Sequence, residues 1–163
     1  MIGPAAGIAR QDEVEKRRDV LVYTTPVLSQ DVEVTGPVSL ILYVSTTAPN
    51  TDFTAKLVDV HPGGSVFNVS EGILRRGYQD AQDSLAAEGV HQIQIELWPT
   101  SNVFFRGHRI RLEVSSSNFP RFDRNPNTGN KIASEAKVID AKQTVRHGLQ
   151  FPSRLILPII PTN

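Results

Sequence analysis

Cysteine is absent from this 163-residue sequence, so it can form no disulfide framework, no thiolate metal site and no cysteine nucleophile. Neither sign of charge is in excess: 17 acidic residues balance 17 basic ones, for a formal net charge of zero. Such a chain projects no long-range field toward DNA, RNA or an anionic bilayer, and nucleic acid is not expected as a partner. Long apolar runs are missing as well. No segment approaches the roughly 20 residues of a membrane-spanning helix, so no membrane partner is expected. Residues 1–7 lack the charged and apolar blocks of a secretion signal. The missing cysteines favour the cytoplasm without deciding the compartment. Aromatics are few, at 7% with one Trp, which limits the ring platforms available for stacking.

What is present is an ordinary globular mixture, 39% hydrophobic and 21% charged. A chain of this length buries about 68–70% of its unfolded surface, enough for one domain with a core. The segment Gln11-Asp12-Glu13-Val14-Glu15-Lys16-Arg17-Arg18 is almost wholly polar. Residues 1–18 are therefore read as a linker or tail, and residues 19–163 as a single domain. Beyond that point the pattern has period two. Val38, Leu40, Leu42 and Val44 alternate with Ser39, Ile41, Tyr43 and Ser45, and Ile93, Ile95 and Leu97 alternate with Gln92, Gln94 and Glu96. Arg109–Val114 repeats the arrangement, with Ile110, Leu112 and Val114 inward and the charged side chains expected in water. Further strands are expected at Asp19–Thr24, Phe53–Val60, Thr144–His147 and Arg154–Leu157. Only Tyr78–Glu88 has helix formers, and it is short. Antiparallel strands without intervening helices predict an all-β sandwich of two sheets, Greek-key or jelly-roll in connection.

Chemistry is harder to find. The Gly-x-Ser-x-Gly elbow of an α/β-hydrolase is absent, and its nearest approach, Gly63-Gly64-Ser65-Val66-Phe67, reads as a hairpin turn. His61, His91, His108 and His147 show no i, i+4 pair, so no metal is expected. His108, at the entrance to a strand, is read as a turn-fastening residue. Asp52, Asp59 and Asp80 match no calcium loop, and the sequon Asn68-Val69-Ser70 has meaning only in a secreted protein. No catalytic residue and no cofactor are expected in this chain. Trp98-Pro99 through Phe105 reads as a hydrophobic corner, with Trp98 in the core, over the alternative of a sugar-stacking platform. Ser115 through Asn125 mixes hydroxyls, two Phe and two Arg, the composition of a contact loop. Trp98, Ser116, Asn118, Phe119, Arg121, Phe122 and Arg124 are the candidate interdomain contacts.

Several segments, taken in order, resemble one family. They are Asp19-Val20-Leu21, Thr35-Gly36-Pro37-Val38, Thr51 through Val60, Glu71-Gly72-Ile73-Leu74-Arg75, Leu97-Trp98-Pro99-Thr100-Ser101, Gly107-His108-Arg109-Ile110-Arg111, Ser115–Asn125 and Pro152-Ser153-Arg154-Leu155. The chain is similar, from about Asp19 to Pro161, to the C-terminal domain of X-prolyl dipeptidyl-peptidases, cocaine esterase and α-amino-acid ester hydrolases. That resemblance implies a jelly-roll, galactose-binding-like sandwich packed on an α/β-hydrolase domain that holds a Ser-His-Asp triad. It implies no catalytic role for any residue here. Gly3-Pro4 and Val14-Glu15 resemble the stretch leading into that domain, so Met1 is expected to be a truncation start or the start of a separately encoded module. A carbohydrate-binding module resting on Trp98, Tyr78 and Tyr43 is the alternative, and a homo-oligomer is left open.

Overall fold

The computed structural model describes residues 7–76, 89–130, 132 and 135–161. The helical expectation at residues 78–88 lies outside them, as do Tyr78 and Asp80. The described residues form one helical turn, α1 (Asp12–Glu15), and nine strands: β1 (Leu21–Thr24), β2 (Val32–Thr46), β3 (Thr51–Val60), β4 (Val66–Arg76), β5 (His91–Phe104), β6 (Arg109–Ser115), β7 (Gln143–Arg146), β8 (Arg154–Ile156) and β9 (Ile159–Ile160). One antiparallel sheet runs β1-β6-β3-β4. In the other, β2 pairs with β5 along one edge, while β7, β8 and β9 follow one another along its second edge. The fold is the expected all-β sandwich.

Period-two patterning builds the interior. Val34, Val38, Leu40, Leu42 and Val44 of β2 and Ile93, Ile95 and Leu97 of β5 face Phe53, Ala55 and Leu57 of β3 and Ile110, Leu112 and Val114 of β6. The register between β2 and β5 slips after Gly36, so that Pro37 alone opposes both Trp98 and Pro99. A bulge suits prolines, which cannot donate to a ladder. It also reverses the parity of β5: Ile93, Ile95 and Leu97 point inward before it and Phe104 after it. Trp98, next to inward-facing Leu97, points outward and stands 62% exposed, correcting its expected core position.

The outer face of the first sheet is covered too. Part of the stretch read as a linker or tail runs along the β4 edge before crossing onto that face: Arg10 bridges Phe67, the Gln11 amide donates to the Val66 carbonyl at 2.9 Å, and the Asn68 amide donates to Ala9 at 3.2 Å. Lys56 Nζ donates to Gln11 Oε1 at 3.0 Å, and Arg111 pairs with Glu15 of α1 at 2.6 Å. The charged face of β6 thus meets a third layer of protein where water was expected, and Glu113 is only 3% exposed. This layer at Lys56, and at Asp52 the loop that follows β6, leave nearly every residue of β3 buried.

Candidate functional site

The loop that follows β6 folds back over the outer face of β4. Buried Glu71 anchors it, accepting from Asn118 Nδ2 at 2.6 Å and pairing with Arg121. One strand over, Asp52 and Arg75 oppose each other in the β3–β4 register. They form a two-pronged ion pair at 2.8 and 2.9 Å, to which Asn125 Nδ2 adds a bond to Asp52 at 2.8 Å. Arg75 also donates to the Asp123 carbonyl at 2.9 Å, so buried charge fastens both ends of the loop. On the solvent side the Arg121 guanidinium lies 4.6 Å from the Trp98 ring centroid, and Arg124 lies 5.4 Å from that of Phe119. Phe119 is 63% exposed, Phe122 and Ser116 are half-buried, and the Phe119–Pro120 peptide is cis. The structure therefore gathers Trp98, Asn118, Phe119, Arg121, Phe122 and Arg124 into one aromatic and guanidinium surface. Arg121 occupies a Trp98 face that a sugar would use, and the Tyr43 hydroxyl is bonded to Gln92 at 2.7 Å.

Three other places have chemical character. At one end of the first sheet, His108 Nδ1 lies 2.9 Å from Asp59 Oδ1, and His61 Nε2 lies 3.5 Å from Asp59 Oδ2. Sequence spacing does not show this convergence. Gly63-Gly64-Ser65 forms the β3–β4 hairpin turn, closed by the His61 amide to the Ser65 carbonyl and the Gly64 amide to His61, both at 2.9 Å. Beneath α1, both carboxyl oxygens of Glu113 and Oε1 of Glu15 are buried without a hydrogen-bond partner. Burial foremost, then the neighbouring Glu15, pushes the Glu113 pKa up to about 8. Between the sheets an apolar cavity of about 430 Å³ is bounded by Tyr23, Leu40, Leu42, Leu112, Val145 and His147. Tyr23 and His147 meet edge to face at 6.1 Å, and burial raises the Tyr23 pKa. None of these places has a nucleophile beside a base that is itself held by a third group, the arrangement acyl transfer needs.

Residues 5–156 match the family described as the X-Pro dipeptidyl-peptidase C-terminal non-catalytic domain. The chain belongs to that family. Cocaine esterase of Rhodococcus sp. is 46% identical over 159 residues, covering 94% of this chain and 28% of that protein. Among solved structures, an aminopeptidase from a marine-sediment Thaumarchaeota archaeon superposes with a TM-score of 0.85 at 31% identity, covering 94% of this chain and 28% of that one. An α-amino acid ester hydrolase superposes equally well, at 0.85 and 30% identity, covering 94% and 27%. The chain thus spans little more than a quarter of the length of these relatives.

The loop anchors Glu71, Asp52 and Arg75 escaped the site reading of the sequence, because only the β3–β4 register places Asp52 opposite Arg75. Glu71 and Arg75 sit four apart on one face of a strand, which in sequence reads as an ordinary solvated face. Among the described residues no helix is long and apolar enough to cross a membrane.

Proposed function

We infer that this domain is the non-catalytic sandwich of a larger serine hydrolase, and that it packs on an α/β-hydrolase core which cleaves ester or peptide bonds. What supports the interface reading is the pairing of exposure with rigidity: Trp98 and Phe119 are open to solvent, yet their loop is fastened by the buried carboxylates of Glu71 and Asp52 and by half-buried Arg75. Ordering such side chains in advance lowers the conformational entropy they lose on docking, and aromatic and Arg side chains dominate interface centres.

In such an enzyme a histidine of the core takes the proton of a serine, and the serine attacks the ester or amide carbonyl. The alcohol or amine leaves, and water then releases the acyl group. The names of the relatives share hydrolysis of an ester or peptide bond while differing in substrate. The residues of this chain touch none of the reacting atoms. Their part is to bury the flank of the core and hold its orientation.

The test is calorimetric titration of the purified chain into the separately produced hydrolase portion of the enzyme. Saturable association is expected. Trp98→Ala and Phe119→Ala should each weaken it by about 30-fold, the usual effect of a hot spot of about 2 kcal/mol. No association, or association indifferent to both substitutions, overturns the interface.

A further inference from the structure

The β3–β6 ladder ends at Val60↔Arg109, and its register, carried one step further, sets His61 against His108. Their rings stand 4.4 Å apart between centroids. Asp59, two residues before His61, presents its side chain on the same face of the strand, as the pleat requires. Two imidazoles and one carboxylate from adjacent strands therefore converge, their donor atoms all within 4.8 Å of one another.

Hydrogen bonding accounts for only part of this arrangement. Asp59 is 8% exposed, and His108 Nδ1 satisfies it at 2.9 and 3.1 Å. His61 Nε2 points at the same carboxylate from 3.5 Å, at the limit of a useful hydrogen bond. A cation among the three atoms satisfies them together. Zinc bonds nitrogen and oxygen at about 2.0–2.2 Å, so tetrahedral neighbours around it stand about 3.3–3.5 Å apart. About the single oxygen Oδ2 of Asp59, His108 Nδ1 at 3.1 Å and His61 Nε2 at 3.5 Å stand near that edge, and with all three donor atoms within 4.8 Å a turn of the half-buried His61 ring closes the third. Phe67 and Phe105 wall the place at 5.1 and 5.8 Å from the His61 and His108 rings.

We propose that Asp59, His61 and His108 form a three-ligand site for a divalent transition ion of the zinc class. The fourth position is open to solvent and is taken by water. Two nitrogens and one oxygen suit zinc, cobalt, nickel or copper, and disfavour calcium and magnesium, which take oxygen ligands. The ion clamps the β3–β4 hairpin to the start of β6. The site was not expected from sequence, where the histidines lie 47 residues apart, and it is independent of the hydrolase reading.

The untagged chain, stripped with a chelator, is titrated with Zn²⁺ by calorimetry and with Co²⁺ by visible absorption. One equivalent is expected, with the intense d–d bands of low-coordinate cobalt. His61→Ala, at a half-buried position beside the hairpin turn, should weaken binding at least tenfold and abolish those bands while leaving circular dichroism unchanged. Asp59→Asn should do the same where it folds. Binding of less than one equivalent, or equal affinity in the wild type and His61→Ala, overturns the site.

Discussion

Replacing Glu113 by Gln should stabilise the domain, by an amount that grows with pH. The carboxyl is buried between β6 and α1, faced by Glu15, Lys56 and Arg111, and its pKa stands at about 8 against an ordinary 4.5. Between those values the folded chain holds a proton that the unfolded chain has released. Wild-type stability therefore falls as pH rises through this window and levels off above the folded value. At about 1.4 kcal/mol per pH unit the window amounts to a ceiling of about 5 kcal/mol. We expect about half of that, because α1, a single turn that carries Glu15, can lift away locally once Glu113 ionises. Gln keeps the neutral charge and offers Glu15 a donor at every pH. Urea unfolding of both proteins at pH 5, 6.5 and 8 measures the difference. It should be small at pH 5 and reach about 2 kcal/mol at pH 8. Parallel stability–pH curves for the two proteins would refute the assignment of Glu113 as a buried, protonated acid.

Two further substitutions probe the sandwich and its loop. A Cβ at Gly72 would collide with the Glu96 carbonyl oxygen and lie 2.9 Å from its carbon, so Gly72→Ala must push β4 from β5. A loss of about 3 kcal/mol or more in urea unfolding is expected, and a loss under about 1 kcal/mol would show that the sheets are not packed this closely. Glu71→Ala frees Asn118 and Arg121, with an expected loss of about 2 kcal/mol. As Trp98 is the single Trp of the chain, its emission should change in the same variant. Unaltered emission and stability would mean that Glu71 does not anchor the loop.

Alternation made β5 and β6 readable in sequence, since Ile93, Ile95 and Leu97 and then Ile110, Leu112 and Val114 each line one buried face. It failed where both faces of a strand are covered. β4 places Ser70 and Gly72 toward the second sheet and Glu71 and Arg75 under the loop, so polar residues fall on both sides and no period emerges. The same covering misled the outer face of β6, where Arg111 and Glu113 read as solvated although α1 lies across them. Trp98 was misplaced because the alternation was not carried one residue past Leu97, which sets the indole on the outer face. The loop stood out in sequence by its Phe and Arg content, although the Glu71, Asp52 and Arg75 anchors that hold it did not. Convergence of Asp59, His61 and His108 depends on the register of distant strands, which local spacing cannot reveal.

The central claim is that this family member supports hydrolysis without performing it. The most direct measurement follows turnover of a prolyl-dipeptide chromogenic amide and a simple aryl ester by the purified chain, alone and mixed with the hydrolase portion of the enzyme. The account predicts no turnover above buffer by the chain alone, and activity that appears or rises when the two are combined. Turnover by the chain alone that follows the protein through successive purification steps would contradict it.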